Sequence, residues 1–183
     1  MKKRVAGIVA GCLALACYAT PAQAQMPYIS GAVGLATLSD VNNVAQGAFE
    51  DGHRLMGAFG IDSGSTRIEA EIGVQNNGVK TLADDIKITT FMGNLYYDFE
   101  LPMAPIKPFA MAGAGMVDVE QKQLGQDTSF AWQVGAGVGF SIIPMVTVDL
   151  QYRYFATASD AQLGATDYSI DASHVMLGLR VGL

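Results

Sequence analysis

Residues Thr66 to Val74 alternate with period two. Ile68, Ala70, Ile72 and Val74 fall on one side, and Arg67, Glu69, Glu71 and Gly73 on the other. Successive side chains leave opposite faces of a pleated strand, so this stretch predicts a β-strand with one apolar and one charged face. Two kinds of fold can use it. A soluble sandwich buries the apolar face and solvates the charges. A membrane barrel turns the apolar face to lipid and points the charges into its lumen.

The 183 residues suggest a single domain. Residues 1–24 are expected to be a cleaved signal peptide, leaving 25–183 as the folded chain. Lys2, Lys3 and Arg4 form a basic start, and the apolar run over 5–17 is too short to span a bilayer. Ala22-Gln23-Ala24 reads as a cleavage site, which puts the mature start at Gln25. A short membrane anchor and a lipoprotein signal at Cys12 are the weaker alternatives. Cys12 and Cys17 both lie in this segment, so disulfides, thiol redox chemistry and cysteine metal sites are excluded from the mature chain. Three of the eleven basic residues leave with the signal while all seventeen acids stay, so the mature net charge is −9. That balance argues against nucleic acid as a partner. Beyond residue 24 there is no apolar run of helical-span length, so a mature chain in a membrane must cross it as a barrel.

Eight runs read as strands: 28–38, 55–61, 66–74, 86–99, 109–117, 130–140, 146–155 and 173–183. The connections alternate in length. Residues 39–53, 75–85, 118–127 and 156–168 are longer and polar. Asp62-Ser63-Gly64-Ser65, the Pro102–Pro105–Pro108 segment and Ile142-Ile143-Pro144 are short. A barrel with both ends of its domain in the periplasm requires this alternation, with short turns inside and long loops outside. A soluble sandwich has no reason for it.

The sixth run settles which face meets lipid. Trp132, Val134, Ala136, Val138 and Phe140 place aliphatics between aromatics, as in the girdles of membrane barrels. The opposite face holds Gln133, Gly135, Gly137 and Gly139. Glycine weakens a strand, but the crowded lumen of an eight-stranded barrel needs small residues. The expected fold is therefore all-β: an eight-stranded antiparallel transmembrane up-and-down barrel. Trp132, Phe140, Tyr97 and Tyr152 are assigned to the aromatic girdle. Arg67, Glu69, Glu71, Asp98, Asp149, Arg153 and Arg180 are assigned to the lumen. Three cations and four anions in a narrow barrel must pair, because a buried charge left alone costs several kcal/mol. Arg153 is expected to bridge Glu69 or Glu71, with Arg67, Asp98, Asp149 and Arg180 forming a second layer nearer the periplasm. Such a network fills the lumen.

Four segments then carry a resemblance: Asn94-Leu-Tyr-Tyr-Asp-Phe, Ala131-Trp-Gln-Val-Gly-Ala-Gly-Val-Gly, Val148-Asp-Leu-Gln-Tyr-Arg-Tyr-Phe and the closing Gly178-Leu-Arg-Val-Gly-Leu. With the Thr66 stretch, their order is similar to that of the small outer-membrane β-barrel proteins of Gram-negative bacteria, the opacity and surface-antigen or "porin family" group. The resemblance covers essentially the whole mature chain and implies a barrel related to the OmpA-type transmembrane domain. It also implies localisation in the outer membrane, with outer-membrane lipid, lipopolysaccharide and the barrel assembly machinery as partners. The assembly signal would span Gly178 to Leu183, where the family's usual terminal aromatic is replaced by Leu183. Leu183→Phe should accordingly raise the ratio of folded to unfolded protein in cells, read from unheated and boiled samples on gels. An unchanged ratio would show the departure to be harmless.

The expected function is a structural, envelope or surface-contact role, with an unidentified extracellular ligand reached through acidic outer loops. No enzymatic activity, cofactor or metal is expected. A small porin-like channel is the alternative. A lipid-A-modifying enzyme would need a nucleophile with a base in reach. The candidate pair, Ser173 and His174 beside Asp171, should point to opposite faces of one strand. His53 lies in a loop.

Overall fold

The computed structural model describes residues 25–39, 52–77, 86–101, 104–121, 125–157, 161–163, 166–168 and 171–183. The expected signal segment lies outside them, as do Asp40, Glu50, Asp51, Asp84, Asp85 and Asp160 of the outer connections. Seven long strands come first: β1 (Met26–Ser39), β2 (Gly52–Asp62), β3 (Thr66–Asn77), β4 (Ile86–Asp98), β5 (Ile106–Gln121), β6 (Gly125–Ile143) and β7 (Val146–Thr157). A short hairpin, β8 (Ala161–Leu163) and β9 (Thr166–Tyr168), precedes the eighth long strand, β10 (Asp171–Gly182). The eight long strands close into an antiparallel barrel in which β1 pairs with both β2 and β10. Each long strand has at least 11 residues, enough to cross the hydrocarbon layer when tilted. Closure pairs every strand on both sides, which removes the open edges that lipid could not satisfy.

The two faces separate as the alternation requires. Ile29, Val33, Leu55, Ile72, Leu95, Leu150, Val175 and Leu177 point outward and are exposed on the barrel surface. Among the outward aromatics, Trp132 packs against Tyr154 with ring centroids 5.8 Å apart, and Tyr97 against Phe99 at 5.1 Å. Phe140 is exposed toward the periplasmic turns. Tyr152 also faces outward, pairs with Ala136 and meets Ser173 Oγ through its hydroxyl at 2.9 Å.

Three details differ from the sequence reading. The polar stretch 118–127 is mostly strand, with Asp118 paired to Thr128 and Glu120 to Gln126. Polar side chains are no obstacle to a ladder that continues above the hydrocarbon. The expected loop 156–168 contains the β8–β9 hairpin. Strand β2 starts at Gly52, three residues before the expected Leu55, and this brings Arg54 into the barrel wall. The Ala/Gly/Met alternation of the fifth run leaves its two faces unassigned in the sequence, and the structure assigns them: Phe109, Met111 and Val117 are buried inside, and Ala110, Ala112 and Ala114 face out.

Candidate functional site

Among the described residues, chemistry-bearing side chains converge in the lumen. The lumenal glycines of β6 show how it is packed. Gly135, Gly137 and Gly139 pair with Arg153, Gln151 and Asp149 of β7. A Cβ on Gly135 would lie 2.6 Å from the Tyr152 carbonyl and 3.0 Å from Arg153 Cγ, and one on Gly139 would lie 2.8 Å from Asp149 Oδ1. Each glycine therefore yields its volume to a large side chain on the next strand. An apolar cap of Ile88, Met92, Val117, Ala131, Phe155 and Ala172 lies toward the outer loops.

Below the cap the charges form two layers. In the upper one, Glu71 accepts bonds from Arg153 Nη1 at 2.6 Å, Asn94 Nδ2 at 2.7 Å and Arg54 Nη2 at 3.1 Å. Arg153 also donates to the Tyr96 hydroxyl at 2.8 Å and to Gln151 Oε1 at 3.1 Å. Glu69 has no cation in direct contact among the described residues. Its oxygens accept from Tyr96 (2.7 Å), Tyr28 (2.8 Å) and Ser30 (3.3 Å), so Tyr96 relays Arg153 to it. Between the two Arg153 partners considered from sequence, Glu71 is the direct one.

The lower layer holds the remaining four charges. Arg67 clamps Asp98 through two parallel bonds of 2.7 and 2.8 Å, and its guanidinium lies 4.4 Å from the centroid of the Tyr96 ring. Fork-to-fork pairing of this kind is among the stronger charged hydrogen bonds. Arg180 meets Asp149 at 3.3 Å and Asp62 only at 4.0 Å.

Sequence reasoning missed Arg54. Its signal was parity with the lumenal face of β2, hidden because the strand was read as starting one residue later. With Arg54 the described lumen has four buried arginines (54, 67, 153 and 180) and four buried carboxylates (69, 71, 98 and 149), an electrically balanced set. Tyr28, Tyr96 and Asn94 were also missed, although the inward Asp98 sets the same parity for Tyr96 and Asn94. Midway down the lumen a cavity has about 10 Å³ of room, about that of one water. A wider vestibule of about 110 Å³ opens at the periplasmic end, beside Arg180 and Lys107.

Ser173 and His174 stand on opposite sides of the wall. Ser173 faces outward to Tyr152. His174 is fully buried inside, with Nε2 2.9 Å from Gln75 Oε1 and its ring edge-on to Phe155. Among the described residues, no cluster of three or more histidines, cysteines or carboxylates could hold a metal ion.

A closed barrel with an apolar exterior and a charge-balanced interior is a membrane architecture, and residues 10–180 match the outer membrane protein beta-barrel domain. The chain belongs to that family. Family membership places it in the outer membrane, and in barrels of this kind the short turns lie toward the periplasm. It is 25% identical over 101 residues to the outer membrane protein PagN of Salmonella typhimurium (strain LT2), an alignment covering 48% of this chain and 41% of PagN. Less than half the length of that relative is thus matched. Among solved structures, Neisserial surface protein A aligns over 86% of this chain and 97% of its own, with a TM-score of 0.73 at 20% identity. The outer membrane enzyme PagL aligns over 85% and 99%, with a TM-score of 0.55 at 20% identity. At such identities these likenesses speak to the fold.

Proposed function

We propose that this family member is a non-enzymatic surface protein whose barrel is a closed anchor, and whose outer connections supply an envelope or surface-contact role. The observation that carries the reading is the packed lumen, in which a balanced set of eight buried charges lies beneath an apolar cap, around a cavity with room for about one water. Ion passage would require the Arg153–Glu71 and Arg67–Asp98 pairs to part inside a low-dielectric wall. Reconstituted protein should therefore show little or no steady conductance in planar bilayers. Reproducible large openings would show that the charges line a pore, and the channel reading would replace this one.

The likeness to PagL does not bring an activity with it, since Ser173 and His174 cannot act on one substrate from opposite faces. The outer connections keep an acidic balance: Asp40, Glu50, Asp51, Asp84, Asp85, Asp160 and Asp167 face few bases. Such loops suit a neutral or basic ligand better than a polyanion. Lipopolysaccharide contacts would run along the outer wall, and insertion would use the barrel assembly machinery.

A further inference from the structure

Histidine is the side chain whose ordinary charge change falls in the range of pH that a cell surface meets. Of the two in this chain, His53 is exposed on β2, whereas His174 is fully buried inside the barrel. We propose that His174 makes the barrel acid-labile: the upper charge layer closes around a neutral imidazole, and a proton taken up there forces that layer apart.

Three observations carry this. First, the hydrogen bonding of the ring fits the neutral form alone. Nε2 lies 2.9 Å from Gln75 Oε1, an oxygen that can only accept, so the ring hydrogen sits on Nε2. Nδ1 has no hydrogen-bond partner among the described residues. In the neutral ring it is a bare lone pair. A second proton would turn it into a charged N–H with nothing to accept it, and a buried charged donor left unmet costs more than a lone pair left unmet. Second, the charges that face the ring oppose another cation. Arg153 of β7 stands opposite His174 in the register, and Arg54 approaches from β2. Against them stands Glu71 of β3, which is already shared between Arg153 at 2.6 Å and Arg54 at 3.1 Å, with Asn94 as a third donor. Glu69 lies one step further off, behind the Tyr96 hydroxyl. Ala36 of β1 and Phe155 of β7 also adjoin His174 and bring no charge. Third, the lumen has no spare anion to offer. Its four arginines and four carboxylates already balance, and the apolar cap lies above them. A protonated His174 is a fifth cation without a counter-charge, held away from water.

The sign of the effect follows from proton counting. A histidine in an unfolded chain takes its proton at about pH 6.5. Below that pH the unfolded chain binds a proton that the closed barrel does not, so stability is fully present above it and is lost as pH falls. Between pH 7.5 and 5.5, one such histidine raises the unfolding equilibrium constant about tenfold. The test is urea unfolding in lipid vesicles at these two pH values, for the natural chain and for His174→Gln. Glutamine can still donate to Gln75 and cannot take a proton, while His53 and the carboxylates titrate in both proteins. Acidification should raise the unfolding constant of the natural chain about tenfold more than that of the variant. The same pH dependence in both would overturn the proposal. Should the variant fail to fold, nitrogen-15 spectra of the imidazole in the folded natural barrel decide at pH 5.5. His174 should still give the signals of a neutral ring protonated at Nε2, and imidazolium signals from the intact barrel would be the contrary result.

Discussion

Replacing Arg153 by methionine and Glu71 by glutamine should each destabilise the barrel by about 3–5 kcal/mol, and both together by clearly less than the sum. The two groups lie 2.6 Å apart and are almost wholly removed from solvent. Removing either leaves the other buried without its counter-charge, and that penalty dominates each single change. The loss from Glu71→Gln should be the larger, because Arg54 also rests on that carboxylate at 3.1 Å. The same cycle with Glu69→Gln separates direct contact from relay. Glu69 reaches Arg153 only through the Tyr96 hydroxyl, so its coupling should be present but smaller. Urea unfolding in lipid vesicles measures both cycles. Strict additivity for Arg153 with Glu71 would mean that these charges do not meet in the membrane.

A second large effect is expected from a single methyl group. Gly137→Ala would put its Cβ 2.5 Å from the Leu150 carbonyl, 2.6 Å from Phe109 Cζ and 2.9 Å from Gln151 Cβ. The carbonyl belongs to the β6–β7 ladder and cannot swing aside, so the strand pair itself must shift. Overpacking of this kind costs about 1–3 kcal/mol, and a backbone clash belongs at the upper end. Gly93→Ala is the control, because its Cβ would face outward, with the Ala114 carbonyl nearest at 3.8 Å. There the loss of backbone freedom favours alanine by roughly 0.5–1 kcal/mol. Comparable urea midpoints for the two variants would show that the glycines of β6 are not reserved for lumenal volume.

The physical asymmetry between these glycines also explains what could be read before the fold was known. Alternation is local, and one inward charge fixes the parity of a whole strand. Arg67, Glu69 and Glu71 thereby orient β3, and Asp98 orients β4. The lipid face followed from Trp132 to Phe140, because only lipid and a crowded lumen together demand aromatics opposite glycines. Strand ends were less legible. Arg54 shares the parity of the lumenal face of β2, but polar residues such as it and those around Asp118 can either end a strand or extend it above the membrane.

The sequence by itself therefore determined the period, the count of long strands, which side of most of them meets lipid, and the presence of charges that must pair inside; the two faces of β5 waited for the structure. Only the tertiary structure decided the pairing. Barrel closure and shear bring β3 and β7 to a common depth across the lumen, and this selects Glu71 over Glu69 for Arg153. The added turn of strand at Arg54 balances the set. Partners separated by 82 positions in the chain meet because a closed sheet converts small register offsets into fixed heights, which no local pattern encodes.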